Sequence, residues 1–165
     1  KKGYQIKEMT DKLFDYFYVF DAAMEDSPLE RVAAAGWMHQ LLGEHIFELK
    51  SQGFQVETDL PPLRGDLMVH DTLFVRAVDN IFSNVLKYSD SAQPVHVACR
   101  GEKGTLTCDI VNKAQPDARA DSTRIGLKTC RRAFEHHQGA FETWEEKGFF
   151  HVRFSLPLYP PLKGG

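Results

Sequence analysis

The chain has 165 residues, with 42% hydrophobic and 26% charged side chains and a formal net charge of −3. Those proportions describe an ordinary globular protein long enough to enclose one core. The negative balance excludes a dedicated nucleic-acid binder, which would carry a basic stripe, and no run reaches the ~18 apolar residues of a membrane span.

Cys99, Cys108 and Cys130 lack any C-x-x-C spacing, so they predict reduced, cytosolic thiols, with Cys99 and Cys108 as small buried hydrophobes in strands. No signal-peptide pattern stands at Lys1. The charged, helix-like start and the PLKGG end are those expected of a domain within a longer protein.

In chain order, Ile6, Met9, Leu13, Tyr16 and Phe20 are spaced by three and four, the seam of a coiled coil or helical hairpin whose partner lies elsewhere. Ser27-Pro28-Leu29-Glu30 reads as a capped helix start, and Leu29, Val32, Ala33, Trp37, Leu41, Ile46 and Leu49 carry that helix to about Gln52. Gly53 ends it. FQVETDLPPL alternates as a half-buried strand and stops at Pro61-Pro62. Asp71 is placed to cap a helix over 72–88. Residues 94–101 and 105–112 alternate across a short glycine turn and read as a hairpin. The stretch 113–124 has no period and reads as loop. Helical spacing resumes at Leu127, Cys130, Ala133 and Phe134 and is closed by Gly139, with His136 and His137 complementing the helix dipole. AFETWEE and FFHVRFSLPL form a second hairpin across Lys147-Gly148. Helices interleaved with antiparallel strand pairs predict an α+β two-layer sandwich: a mixed sheet of about five strands, three helices on one face, and a leading helix.

One helix raises a chemical question. VDNIFSNVLKYSD puts Asn80, Asn84 and Lys87 on one stripe and Val78, Ile81, Phe82 and Val85 on another. Asparagines are poor helix formers, so the polar stripe is either a solvated face or a row of amides turned to a ligand.

That helix resembles the N-box of the ATP-binding catalytic domain of sensor histidine kinases, in the GHKL (Bergerat) superfamily, with Asn80, Asn84, Lys87 and Tyr88 at matching positions. The run IGLKTCRRAFEHHQGAFETWEEKGFFHVRFSLPL is similar to the family's tail through Gly126, Leu127, His137, Gly139, Gly148 and Leu156-Pro157. Leu13 to Phe20 looks like the end of the family's dimerisation hairpin. The details are those of a divergent, Gram-positive type of kinase.

The resemblance implies a Bergerat-type ATP-binding fold with ATP and Mg²⁺ as cofactors. It implies Asn84 as the Mg²⁺ ligand, an oxygen donor suited to a hard cation. Asn80 would act as the catalytic residue that orients water or acceptor near the γ-phosphate, Lys87 as a point charge for the phosphates, and Tyr88 as an edge for base or ribose. Asn112 stands where the family reads adenine with an aspartate, and an amide can still accept from the amine and donate to the ring nitrogen. Ser122, Thr123, Arg124, Gly126 and Leu127 occupy the phosphate turn, whose backbone N–H groups would form an anion site at a helix start.

The pattern is damaged in three places. Ala114 and Pro116 replace glycines after Asn112, and Gly126 is the one glycine left in the phosphate turn. Asn112 and Ser122 stand too close for the usual ATP lid. The family's phosphoacceptor histidine box is missing, since His70-Asp71 lies at the start of the asparagine helix. The resemblance therefore implies a kinase domain that transfers the γ-phosphoryl to a histidine outside this chain. Its implied partners are the phosphoacceptor helix of a parent kinase, a response regulator and a second copy in a homodimer. It implies no nucleic acid, a cytoplasmic location, and a membrane reached only through other segments. The implied division is residues 1–24 for the hairpin end, 25–160 for the catalytic domain and 161–165 for a tail. The alternative is a degenerate, non-catalytic nucleotide-binding or partner-binding module of the same fold. A gyrase-type or chaperone-type ATPase is disfavoured, because Asn80 stands where those enzymes carry a glutamate base.

Overall fold

The computed structural model describes residues 28–116 and 120–162, with residues 120–126 as backbone only. The expected hairpin end at 1–24 and the Ser27 cap lie outside the described residues. The elements are β1 (Glu30–Ala33), α1 (Ala34–Ser51), β2 (Val56–Asp59), β3 (Asp66–Val69), α2 (Asp71–Tyr88), β4 (Val95–Glu102), β5 (Thr105–Lys113), α3 (Ala120–His136), β6 (Ala140–Glu146) and β7 (Phe149–Pro157). Strands β2-β4-β5-β7-β6 form a five-stranded sheet in that order. The β2–β4 pair is parallel and the others antiparallel, so the sheet is mixed as expected. Among the described residues no helix is long and apolar enough to cross a membrane.

Both hairpins turn on the expected residues. Lys103-Gly104 and Lys147-Gly148 have φ values of 53° and 76°, and of 53° and 84°. Two consecutive left-handed residues match the twist of the flanking strands, which is why a two-residue turn closes each pair.

Four boundaries differ from the sequence reading. The helix expected from Ser27 begins at Ala34, because Glu30–Ala33 pairs instead with the unforeseen strand β3, Glu30 opposite Val69 and Ala33 opposite Asp66. The cap of α2 is His70 and not Asp71: its Nδ1 accepts from the Leu73 N–H at 3.2 Å. The loop expected over 113–124 is shorter, since β5 reaches Lys113 and α3 starts at Ala120. At the other end of α3 the left-handed residue is Gln138, with φ 61°. Gly139 is needed for a different reason: a Cβ there would overlap the Ser155 carbonyl of β7.

The core lies between the helices and one face of the sheet. Leu73, Phe74, Ala77, Val78, Ile81, Phe82 and Val85 of α2 are each no more than 2% exposed. They meet Val95, Val97 and Cys99 of β4, Leu106, Cys108 and Ile110 of β5, and Val152, Phe154 and Leu156 of β7. Phe74 is the hub. Its ring takes edge-on contacts from Trp37, Phe134, His137 and Phe154 at 5.4–6.2 Å, so it joins all three helices to the sheet. Phe74→Ala should destabilise the fold by about 3–5 kcal/mol, as expected for emptying a packed aromatic site. Urea unfolding would show this as a lower midpoint at unchanged slope.

His137 does not complement the helix dipole as expected. It is 2% exposed, and its two ring nitrogens are both engaged. Nδ1 lies 2.8 Å from the Ala133 carbonyl and Nε2 accepts from the His70 N–H at 2.9 Å. The neutral Nδ1–H tautomer satisfies both bonds, and it ties the end of α3 to the start of α2. Burial, helped by the neighbouring His136 and His70, lowers its pKa to about 4 from 6.5. The unfolded chain therefore binds a proton that the folded chain refuses between those two values. Stability should be complete above pH 6.5 and fall towards pH 4, by on the order of 3 kcal/mol for this group. Thermal unfolding across that window checks it, and His137→Ala should flatten this part of the profile while losing about 1–3 kcal/mol at pH 7.

Candidate nucleotide site

Helix α2 is held on two flanks. Toward α1, His45 Nε2 lies 2.9 Å from Asp79 Oδ1, and the His45 ring stacks on Phe82 at 4.5 Å. Toward α3, Asn80 Nδ2 donates to Thr129 Oγ1 at 3.3 Å and the Cys130 thiol to the Ala77 carbonyl at 3.2 Å. With His70 on His137, these contacts run in opposite directions along the two helices, so α2 and α3 are antiparallel. Asn80 of the stripe therefore faces α3, whereas Asn84 is part-buried and Lys87 exposed toward the C-terminus of α2.

The end of β5 is pinned to the same place. Ser89 bridges Ala114. The Asp90 N–H donates to the Lys113 carbonyl and the Gln115 N–H to the Tyr88 carbonyl, both at 2.8 Å. The Gln115 side chain donates to the Ser89 carbonyl at 2.9 Å. This clamp carries Asn112, the last inward-facing residue of β5 and only 4% exposed, to the end of the asparagine stripe.

The expected site residues separate into three groups. Asn80, Asn84, Lys87 and Tyr88 of α2 share one helix end with Asn112. Within that group the Asn84 Nδ2 is sealed from solvent with no hydrogen-bond partner, as are the Ser89 Oγ in the clamp and the Trp37 Nε1 on α1. A buried amide left unpaired costs about 1–3 kcal/mol, and a half-turn about its last bond presents oxygen in place of nitrogen. Ser122, Thr123, Arg124 and Gly126 form the second group. They lie within α3, with Gly126 its seventh residue, so the expected phosphate turn is helix and the positive end of that helix is at Ala120. Leu127 forms the third: its side chain is buried at 9% exposure and packs in the core.

Two contributors were not foreseen. Thr129 is 2% exposed and holds Asn80 in place. Gln115 locks β5 to α2. The one signal for Thr129 in the sequence is its position one turn before Ala133, on the flank of the apolar stripe. Among the described residues no three His, Cys, Asp or Glu side chains converge on a cation position. A divalent ion here would depend on amide oxygens and on oxygens brought by its ligand, which suits a magnesium nucleotide.

No protein-family profile matches this chain. Among curated proteins it is similar to the sensor histidine kinase YrkQ of Bacillus subtilis (strain 168), with 24% identity over 154 residues, 92% of this chain. The chain spans 35%, about a third, of that relative's length. Among solved structures it superposes on the histidine kinase AdeS of Acinetobacter baumannii at a TM-score of 0.67 and 11% identity, covering 92% of this chain and 78% of that one. It superposes on full-length ShkA, solved in complex with AMPPNP, at 0.72 and 17% identity, covering 96% and 37%. The histidine kinase ThkA, solved with the response regulator protein TrrA, gives 0.72 and 11%, covering 94% and 49%. The chain has the fold of the catalytic domains of sensor histidine kinases.

Proposed function

We propose that this chain is the ATP-binding catalytic domain of a two-component sensor histidine kinase. It holds Mg·ATP in the groove between the C-terminal half of α2, the end of β5 and the start of α3. The observation that carries this reading is Asn84: its Nδ2 is sealed and unpaired, and the part-exposed residue lies one turn from Asn80 on the same stripe of α2. Asn84 would turn its oxygen to the cation, and Asn112 would meet the base with both an acceptor and a donor. Lys87 and Tyr88 stand at the same helix end for phosphate and ribose or base. The bound nucleotide supplies the phosphoryl group, and its cation neutralises the charge that develops in transfer. Asn80 positions the acceptor side, and Thr129 fixes Asn80. Ser122, Thr123 and Arg124 would serve the phosphates from the first turns of α3, and Gly126 would join them only if that turn opened.

The acceptor histidine belongs to a segment of the parent protein outside this chain, and the next acceptor is a response regulator. ThkA's complex with TrrA and YrkQ's title as a sensor kinase support that order of partners. A homodimer joined through residues 1–24, in the cytoplasm beneath a membrane sensor, completes the reading.

A second reading has its own observation. Gly126 lies inside a continuous helix, so its N–H is not free for phosphate. That favours a non-catalytic module of the same fold, which keeps the groove and has lost the nucleotide.

Titration calorimetry with ATP, with and without Mg²⁺, separates the two. The kinase reading expects Mg²⁺-dependent binding in the micromolar to sub-millimolar range, about 8 to 4 kcal/mol, lost in Asn84→Ala. No heat from folded wild-type protein at millimolar ATP would overturn it and leave the second reading.

A further inference from the structure

Away from the nucleotide groove, two sulfurs meet inside the β4–β5 hairpin. Cys99 and Cys108 are directly opposite each other in the ladder, and their Sγ atoms lie 2.6 Å apart. Counting back from the Lys103-Gly104 turn, Glu102–Thr105 is the hydrogen-bonded pair that closes it, and Cys99–Cys108 falls on a non-hydrogen-bonded pair. Those are the positions where facing side chains come closest, with Cα atoms ~4.5 Å apart, inside the ~4.4–6.8 Å range that a disulfide spans. Both residues are free thiols.

Both sulfurs are buried, Cys99 at 2% exposure and Cys108 at 0%, and they differ in what lies beside them. Cys99 lines a cavity of about 350 Å³ between the start of α1 and the β2–β3 connection, walled by Met38, Leu42, Leu60, Pro61 and Leu63. Leu60 and Pro61 are exposed, so the wall reaches the surface. Cys108 is fully buried behind Cys99. Burial, contact with Cys99 and the adjoining Asp109 push the Cys108 thiol above its ordinary range.

We propose that Cys99 and Cys108 are a reversible redox pair, oxidised to a cross-strand disulfide by a small hydroperoxide that enters through this apolar cavity. The Cys99 sulfur attacks the terminal peroxide oxygen, and its thiol proton passes to the oxygen that leaves. The O–O bond breaks, an alcohol or water leaves, and Cys99 carries a sulfenic acid. The Cys108 sulfur then attacks the Cys99 sulfur, loses its proton, and displaces the hydroxyl as water. Two thiols are oxidised by two electrons and one peroxide is reduced. The ring so closed lies within a hairpin already held by its ladder, so the bond removes little chain entropy. It marks the oxidised state more than it stabilises the fold, and a dithiol reverses it. Cys130 is the internal control: fully buried, bonded to the Ala77 carbonyl and paired with no other sulfur.

The test exposes the folded chain to hydrogen peroxide, quenches it, unfolds it in urea with N-ethylmaleimide, and counts adducts by mass. The reduced chain takes three adducts, one for each cysteine. The expected oxidised chain takes one, on Cys130, with the hairpin peptide lighter by ~2 Da for the two hydrogens lost. Dithiothreitol restores three. In Cys108→Ser, Cys99 should stop at a sulfenic acid that dimedone captures, whereas Cys99→Ser should leave Cys108 unoxidised. Three adducts persisting while glutathione in the same tube is oxidised would overturn the proposal. So would Cys99 over-oxidised to sulfinic acid with Cys108 still alkylated, or disulfides joining two chains.

Discussion

Helix α2 can bury Leu73, Phe74, Val78, Ile81, Phe82 and Val85 only by sinking onto the sheet between α1 and α3, and the rest of the molecule is arranged around that. Removing one such side chain from water is worth about 1.5–3 kcal/mol, so the six together contribute roughly 9–18 kcal/mol. That is as large as the whole net stability of an ordinary domain, about 5–15 kcal/mol. No polar contact along the helix competes. The partly exposed His45–Asp79 pair is worth at most about 1 kcal/mol, and the Asn80–Thr129 hydrogen bond about the same. The apolar face chooses the position of α2, and the polar stripe goes where the helix turn then puts it, with Asn80 facing α3.

The two ends of that groove are built differently. At the start of α2 the neutral His137 accepts from the His70 N–H while its other nitrogen meets the Ala133 carbonyl, and the His70 ring caps the helix. Every polar atom of that exchange has a partner, in an enclosed place, which rigidifies it. At the other end the backbone is pinned by β5, but Asn84 Nδ2 and Ser89 Oγ have no partner. Native proteins leave few buried polar atoms unpaired, and those that remain point to strain, catalysis or a missing ligand. A third such atom, the Trp37 Nε1, lies by α1 with its ring against Phe74, so the unpaired atoms support the site only together with the Asn80–Thr129 contact.

Much of this was legible in the residues. The 3.6-residue spacing of α2, the two Lys-Gly hairpins and the alternation of β4, β5 and β7 are local patterns, and each folds as its pattern requires. The asparagine stripe was legible as a question, and the resemblance named its answer. What escaped is non-local or unpatterned. Glu30–Ala33 fits a helix as well as a strand, and only its pairing with residues 66–69, far along the chain, makes it a strand. His70 outcompetes Asp71 as a cap because its ring is already held beside His137 and His136 by tertiary packing. The first turns of α3, Ala-Asp-Ser-Thr-Arg, carry no apolar period to be read. Leu127 matched a family position for phosphate binding, yet its side chain is worth more to the core than to any anion.

The start of α3 also sets how a phosphate could be received. Within an α-helix only the first four N–H groups lack internal partners, so those near Ala120 are available and that of Gly126 is not. For Gly126 to offer its N–H, the chain from Ala120 to Ile125 would have to unwind. Asp, Ser and Thr make that segment a poor helix, and a helix end opens far more easily than a packed core. Breaking about four hydrogen bonds, each worth roughly 0.5–1.5 kcal/mol net, would cost some 2–6 kcal/mol. A ligand held at micromolar strength brings about 8 kcal/mol. A nucleotide could therefore drive the turn open only at a large loss of affinity, which is the physical cost that the proposed phosphate contacts of α3 must meet.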